Sequence, residues 1–334
     1  MTHPAVCVVV LNWNSGETTR ACLRSLAATV YPNFSIIVVD NASSDGSADE
    51  LACIETIDLI RNRTNLGFTG GINAGIRRAM ERDAEYVWLL NSDATAAPDV
   101  LGKLVAAAGR DTRIGLVSPI FHDPDPPHVA EFCLAQYDPK TGIARQTDDP
   151  SMAHEWAERY PERVVILGTA LLVRRSLIET IGVLDDRFFA YVEDVDYSLR
   201  ATAAGFRNVA VPDAVVWHRF KSPVKNPRSV PPYLHYYITR NYLLLWRKTS
   251  RRLFVSKAML WFLRERLMQL SRMTGDTAAT DALLAGLWDG LRGIGGPYDP
   301  LRRMPTVPRF LLGRQPMAWI DLMDGRWPRL SSAR

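Results

Sequence analysis

A short acidic cluster is the part of the sequence best suited to acid–base chemistry. Three carboxylates fall within four residues, directly after the aromatic run Phe188–Tyr191; they are Glu193, Asp194 and Asp196. A carboxylate beside apolar groups loses hydration, which raises its pKa toward the range of a general base. On a helix, Glu193 and Asp196 share a face, whereas Asp194 points elsewhere. The cluster predicts a catalytic base, although acids are also typical of a helix's first turn.

A second set of oxygen ligands, Asn91-Ser92-Asp93, closes a hydrophobic run. A carboxylate at the end of a buried strand can hold a divalent cation that in turn binds a diphosphate, and oxygen ligands favour Mg²⁺ or Mn²⁺ over zinc. The alternative is that Asp93 caps the helix that follows. His218 also ends an apolar run, and it is a further metal ligand only if it converges with Asp93; otherwise it is structural.

Two other polar segments follow strand-like runs. Asp40 and Asn41 can bind a base or ribose hydroxyls, or they can simply form a strand-to-helix turn. The glycine-rich segment Arg63–Gly75 allows a close backbone approach and precedes a helix N-terminus that can bind an anion. It lacks the G-x-G-x-x-G spacing and follows the third strand, so an NAD-type site is disfavoured.

Alternating strands and helices must position these residues. Strands are predicted over Ala5–Leu11, Ser35–Val39, Asp58–Arg61 and Tyr86–Leu90, and helices over Glu17–Ala28, Asp45–Ile54 and Gly71–Glu81. This order predicts an α/β fold with a mostly parallel, doubly wound sheet, in which ligands bind beyond the carboxyl ends of the strands. Asn12, Asp40 and Asp93 each follow such an end.

The remainder of the chain is less regular. Phe121–Pro161 predicts a loop-rich excursion, Val164–Val173 a strand, and Ser176 the start of a helix. From Pro231 the pattern becomes helical and aromatic, and Arg251–Gln269 predicts a helix with a wide apolar stripe and basic flanks.

Composition excludes several classes of protein. The 334 residues are 47% apolar with a net charge of +4, which argues against a disordered chain, and we expect neither a signal peptide nor a membrane span. Four scattered cysteines predict reduced thiols rather than zinc sites or disulfides. Charge is divided unevenly, because residues 1–218 carry 19 basic and 29 acidic residues (−10) and residues 219–334 carry 21 and 7 (+14). The two segments are therefore expected to meet different surroundings.

Six motifs in order resemble one family. VVLNWNS, IIVVDNASSDGS, RNRTNLGFTGGINAG, VWLLNSDA, FFAYVEDVDYSLRATAAGF and VVWH, followed by HYYITRNYLLLWRK, span about residues 5–246. Together they resemble inverting family-2 glycosyltransferases of the GT-A fold, most closely the bacterial rhamnosyltransferase-type branch. The resemblance implies a GT-A catalytic domain over residues 1–230, with a nucleotide-sugar half to about residue 100 and an acceptor half from about residue 101. A basic helical extension then occupies residues 231–334.

The resemblance also implies roles for individual residues. Asp194 is the expected base, with Glu193 and Asp196 as supporting acids. Asp93 and His218 are the expected ligands of Mn²⁺ or Mg²⁺, with Asn91 replacing the first acid of the family's D-x-D motif. Donor-binding side chains or backbone are expected at eight positions: Asn12, Asp40, Asn41, Asn65, Gly71, Asn73, Ser92 and Arg240.

The expected partners are a nucleotide-diphosphate sugar, with dTDP-rhamnose ahead of UDP-sugars, and a saccharide or lipid-linked acceptor. We expect a cytoplasmic enzyme without nucleic-acid partners, whose basic extension contacts an anionic inner membrane face, packs on the catalytic domain or forms an oligomer contact. A nucleotidyltransferase is the rival enzyme, but Asn12–Gly16 lacks the basic residue that its phosphate loop would need. A non-catalytic nucleotide- or sugar-binding module is the rival from another class.

Overall fold

The computed structural model describes residues 3–125, 130–218, 230–249, 257–272, 276–302 and 304–306. The chain forms two compact units. The first comprises Met1–Tyr137 and Ala144–Lys221, and the second comprises Asp138–Ile143 and Ser222–Arg334. Every candidate site residue except Arg240 belongs to the first unit.

The elements of the first unit alternate along the chain. Its strands are β1 (Val6–Asn12), β2 (Phe34–Asp40), β3 (Ile57–Arg61), β4 (Tyr86–Asn91), β5 (Ala94–Ala96), β6 (Ile114–His122), β7 (Ala130–Phe132), β8 (Leu134–Asp138), β9 (Ile143–Thr147), β10 (Val164–Val165), β11 (Ala170–Arg174) and β12 (Arg207–His218). The last residue of β8 and the first residue of β9 are the ends of the segment Asp138–Ile143, which is assigned to the second unit. Its helices are α1 (Gly16–Ala27), α2 (Ser47–Ala52), α3 (Gly67–Glu81), α4 (Val100–Ala108), α5 (Pro150–Arg159), α6 (Arg175–Ile181) and α7 (Glu193–Ala203).

A large mixed sheet organises this unit. Among the described residues nine strands join it in the order β3-β2-β1-β4-β11-β6-β12-β5, with β7 on β6, and β10-β8-β9 form a second sheet. The strands β3, β2, β1 and β4 are parallel, as predicted. Val8, Val9 and Val10 of β1 are fully buried, as expected for a central parallel strand covered on both faces. The strand β11 runs antiparallel to β4 and β6, so the second half of the sheet is less parallel than the sequence indicated.

Two sequence predictions for the middle of the chain were wrong. The expected loop region contains β7, β8, β9 and α5, because Pro139, Pro150 and Pro161 lie at the ends of elements rather than within them. Pro150, for example, opens α5 directly after the capping residue Asp149. The expected single strand Val164–Val173 is divided between the two sheets as β10 and β11.

The described part of the second unit is helical. It contains α8 (Pro232–Thr249), α9 (Lys257–Arg272) and α10 (Thr277–Arg292). The helix α9 matches the described part of the predicted Arg251–Gln269 helix, whose residues 251–256 lie outside the described part of the chain. Within the described residues, no helix is both long enough and apolar enough to cross a membrane.

Candidate functional site

The two expected metal ligands lie next to each other. The strand β5 starts directly after Asp93 and pairs antiparallel with the end of β12, where His218 is opposite Ala94. His218 Nε2 lies 3.2 Å from Asp93 Oδ1. The His218 side chain is nearly buried, whereas 56% of the Asp93 side chain is exposed. The convergence on which a metal role for His218 depends is therefore present.

This pair fits a divalent cation shared with a substrate. Two ligand atoms at right angles around an ion, each about 2.1 Å from it, lie about 3 Å apart, close to the observed separation. No group of three or more metal-binding His, Cys, Asp or Glu residues occurs in the described part of the chain. Two protein ligands leave coordination positions for phosphate oxygens and water, which is how proteins commonly bind Mg²⁺.

A buried hydrogen-bond network closes the ends of β1 and β2. Asn12 is fully buried, and its Nδ2 donates to Asp40 Oδ1 and Ser47 Oγ, both at 2.8 Å. Its Oδ1 accepts hydrogen bonds from Thr19 at 2.7 Å and Ser15 at 3.1 Å. The Ser15 hydroxyl also lies 3.3 Å from that of Ser92, which joins this network to the metal motif.

Asn41 and Asn65 connect the loops after β2 and β3. Asn41 Nδ2 donates to Asn65 Oδ1 at 2.9 Å and to the Gly67 carbonyl at 3.0 Å. Gly71 packs against β1, where an added Cβ would overlap Leu11. Asn73 is fully buried and bonds to the segment around Leu184. These residues hold the loops around the site, and their direct contact with a donor stays a prediction.

Asp194 is held by backbone amides near the start of α7. Its Oδ2 accepts a hydrogen bond from Gly168 N at 3.1 Å, and its Oδ1 accepts one from Val195 N at 2.8 Å. Burial raises the pKa of Asp194, and these backbone hydrogen bonds oppose part of the rise. A fixed, partly exposed carboxylate of raised pKa suits a general base.

Glu193 lies in a drier environment than Asp194. Only 6% of it is exposed, and its Oε2 has no hydrogen-bond partner among the described residues. Burial, and then the neighbouring charge of Asp194, raise the pKa of Glu193 well above its ordinary value. Because both effects favour its neutral form, Asp194 is the better candidate for the ionised base.

Asp196 serves the packing of α7. It is 2% exposed, and its Oδ2 accepts a hydrogen bond from Arg200 Nε at 2.9 Å. The same guanidinium donates to the carbonyls of Ile181 at 2.7 Å and Val183 at 2.9 Å. This buried ion pair therefore ties α7 to the chain that leads into the acidic segment.

The connection between β10 and β11 was not identified from the sequence. Gly168 N donates to Asp194, and the Thr169 carbonyl accepts a hydrogen bond from Asn91 N at 2.9 Å. One short segment therefore contacts both the candidate base and the candidate metal motif. The only signal in the sequence is a glycine inside an otherwise hydrophobic run.

Trp13 is a second feature that sequence reasoning passed over. It directly follows Asn12 at the end of β1 and remains 54% exposed. An exposed indole at the carboxyl edge of the sheet offers a flat apolar surface beside the site.

The backbone before Asp194 is strained. Phe189, Tyr191 and Val192 have φ angles of 63°, 69° and 70°, which side-chain-bearing residues rarely adopt. Each such residue costs on the order of 1–3 kcal/mol, and such strain clusters at functional sites. The acidic segment must therefore be held in this shape by its surroundings.

Arg240 lies on α8 in the second unit and is fully buried there. Its guanidinium lies over the rings of Tyr236 and Tyr237, 5.1 and 5.0 Å from their centroids, and bonds to Asn241 and the Gly296 carbonyl. The structure thus assigns Arg240 contacts within the helical unit, and its role toward donor or acceptor stays a prediction.

Known proteins agree with this architecture. The family model described as Glycosyl transferase family 2 matches residues 7–182. An N-acetylglucosaminyl-diphospho-decaprenol L-rhamnosyltransferase of Mycobacterium tuberculosis is 29% identical over 246 residues, covering 66% of this chain and 78% of the relative. The dTDP-rhamnosyl transferase RfbF of Shigella flexneri is 25% identical over 276 residues, covering 80% and 90%.

A solved structure supports the fold. The Pyrobaculum calidifontis mannosyltransferase PcManGT, in complex with GDP-Man and Mn²⁺, superposes with a TM-score of 0.55 at 17% identity, covering 97% of this chain and 85% of that one. The expected GT-A fold is therefore confirmed. The family match covers more than half of the chain and includes the ends of β1, β2 and β4. The chain accordingly belongs to glycosyltransferase family 2 and is similar to its rhamnosyltransferases.

Proposed function

We propose that this glycosyltransferase moves rhamnose from dTDP-rhamnose to a hydroxyl of a saccharide or lipid-linked acceptor, in the synthesis of a bacterial surface polysaccharide. The two relatives named as rhamnosyltransferases support the sugar, and RfbF supports the dTDP donor. The observation that carries the proposal is the Gly168-Thr169 segment, which bonds to Asp194 on one side and to Asn91 on the other.

The reaction is a single displacement. Asp194 accepts the proton of the acceptor hydroxyl while that oxygen attacks the anomeric carbon of the sugar. The bond from this carbon to the diphosphate oxygen breaks, and its electron pair leaves with the nucleoside diphosphate. Attack from the face opposite the leaving group inverts the anomeric configuration, and no covalent sugar–enzyme bond forms.

A divalent cation is the cofactor of this proposal. Asp93 and His218 would hold Mn²⁺ or Mg²⁺, and the ion would neutralise charge on the diphosphate. The protein's own part is to fix Asp93 directly before β5 and His218 at the end of β12, through the pairing of Ala94 with His218. The Mn²⁺ in the similar mannosyltransferase structure supports a divalent ion without deciding between the two metals.

The acceptor is proposed to be lipid-linked and met at an anionic membrane face. The diphospho-decaprenol in the name of the mycobacterial relative supports this class. On α9, Trp261 is 38% exposed, whereas Phe262 is buried against Tyr242 and Trp246, so of these two side chains Trp261 is the one accessible to a lipid surface. Flotation with anionic and neutral liposomes tests the contact, and equal binding to both, insensitive to salt, would contradict it.

The donor assignment is tested with a panel of nucleotide sugars. Purified protein is incubated with dTDP-rhamnose, UDP-sugars, GDP-mannose and nucleoside triphosphates, with and without Mn²⁺ or Mg²⁺, and release of the nucleoside diphosphate or of pyrophosphate is measured. We expect metal-dependent release from dTDP-rhamnose. Preferential release of nucleoside diphosphate from a UDP-sugar would identify that sugar nucleotide as the donor instead. Pyrophosphate release from a nucleoside triphosphate would favour a nucleotidyltransferase. Binding without turnover would favour a non-catalytic nucleotide- or sugar-binding module.

A further inference from the structure

The glycine-rich start of α3 contacts the segment that leads to Asp194. Gly67 has a φ of +76°, and a Cβ there would lie 2.5 Å from the Phe189 carbonyl oxygen. That carbonyl also accepts hydrogen bonds from Thr69 N at 3.1 Å and Thr69 Oγ1 at 3.4 Å. Gly67 and the first turn of α3 therefore pack against and hydrogen-bond to Phe189, one of the strained residues before α7.

Asn73 holds the same segment six residues further along α3. Its Oδ1 accepts a hydrogen bond from Leu184 N at 3.0 Å, and its Nδ2 donates to the Leu184 carbonyl at 2.8 Å and to Asp186 Oδ1 at 2.6 Å. Asn73 is fully buried, and both amide hydrogens are used in these bonds. It retains no donor for a nucleotide, and neither Asp nor Leu could reproduce this arrangement.

These contacts offset the energetic cost of the strained backbone that precedes Glu193. Phe189, Tyr191 and Val192 have positive φ angles within the four residues before Glu193. Such a conformation persists only when its surroundings impose it. The bonds from Thr69 and Asn73 reach this chain from a helix more than a hundred residues away in sequence.

We propose that Asn73 and Gly67 are positioning residues, through which α3 holds residues 184–192 in the shape that sets Asp194 for proton transfer. This inference rests on the proposed role of Asp194 as the base. It replaces the donor-binding role that the sequence suggested for Asn73. The substituted positions should therefore affect turnover and not donor affinity.

The test compares Asn73→Ala and Asp186→Ala with Gly75→Ala. Gly75 lies on the same helix but faces Val9 of β1, so its substitution perturbs the fold without contacting residues 184–192. For each variant, thermal unfolding, kcat, KM for the donor and a donor dissociation constant are measured at a temperature where all are folded. Asp186 is exposed, so Asp186→Ala gives a result even if Asn73→Ala does not fold.

We expect Asn73→Ala to lower kcat by about 100-fold, the usual effect of a 1 Å misplacement, with donor affinity retained. The acid limb of its pH–rate profile should move, because the hydrogen bond from Gly168 N to Asp194 would no longer be fixed. In the Asn73→Ala/Asp186→Ala double variant, kcat should fall by less than the product of the two single effects, because both residues act through one hydrogen bond. Gly75→Ala should keep kcat. A loss of donor affinity matching the loss of kcat, or an unchanged kcat and pH profile in both Asn73→Ala and Asp186→Ala, would overturn the inference. Failure of the proposed function itself is distinguishable, because the unsubstituted protein would then show no transfer.

Discussion

Asp196→Asn tests whether Asp196 acts in packing or in chemistry. Asp196 is 2% exposed and pairs with Arg200, whose side chain is 25% exposed. Removing one partner of a fully buried ion pair costs about 3–5 kcal/mol. Here the cost falls to about 2 kcal/mol, because Arg200 is partly exposed and the amide oxygen of the substituted asparagine can still accept its hydrogen bond. For a domain of this size, that loss lowers the melting temperature by roughly 4–8 °C.

Glu155→Gln is the matched control, because Glu155 and Arg159 form an exposed pair with side chains 63% and 66% accessible. Such pairs contribute at most about 0.5 kcal/mol, so its melting temperature should change by no more than about 2 °C. Differential scanning fluorimetry measures the melting temperature of both variants. Transfer is assayed roughly 20 °C below each melting temperature, a margin that keeps the variants folded. Loss of transfer by Asp196→Asn without loss of stability would refute the packing role and restore Asp196 as a supporting acid.

Three further predictions follow from the site and the core. Glu193→Gln should retain transfer. Because the folded pKa of Glu193 is raised, the unsubstituted protein loses stability as the pH rises above the unfolded pKa of this carboxyl, so the variant's stability relative to it should rise from about pH 5 to about pH 8; a thermal-unfolding series across this range measures the change. Asp93→Ala and His218→Ala should each raise the Mn²⁺ concentration for half-maximal transfer by about 10-fold or more, and an unchanged metal titration would remove them as ligands. Gly75→Ala should destabilise the fold by about 1–3 kcal/mol through overlap with Val9, whereas Gly102→Ala on α4, whose nearest neighbour atom would be 3.9 Å away, should stabilise it by about 0.5–1 kcal/mol in denaturant unfolding.

The parallel half of the sheet could be predicted because its signal is local. The strands β1, β2 and β4 are continuous apolar runs ending in polar residues, so Asn12, Asp40 and Asp93 could be assigned to one edge before the fold was known. The acidic cluster was also visible, since Glu193 and Asp194 follow an aromatic run. Helix α3 begins at Gly67, four residues before the predicted start at Gly71, because its start depends on the contact between Gly67 and Phe189.

The rest of the site depends on contacts between distant parts of the chain. The pairing of β5 with the end of β12 sets His218 beside Asp93, and neither strand has a sequence pattern that identifies its partner. The Gly168-Thr169 connection appeared as part of one strand, although it separates two strands of different sheets. The family resemblance implied a donor-binding role for Asn73, and its hydrogen bonds to Leu184 and Asp186 could not be predicted, because an asparagine that bonds to backbone cannot be distinguished in sequence from one that binds a ligand.

Asp194 is the proposed base in transfer of a sugar from a nucleotide-diphosphate donor. The most direct measurement compares Asp194→Asn with the unsubstituted protein, using turnover of dTDP-rhamnose with acceptor and calorimetric binding of the donor in the presence of Mn²⁺. The variant should bind the donor as before and lose about 1,000-fold in turnover, within the range that a general base contributes. Near-normal transfer by Asp194→Asn would exclude Asp194 as the base.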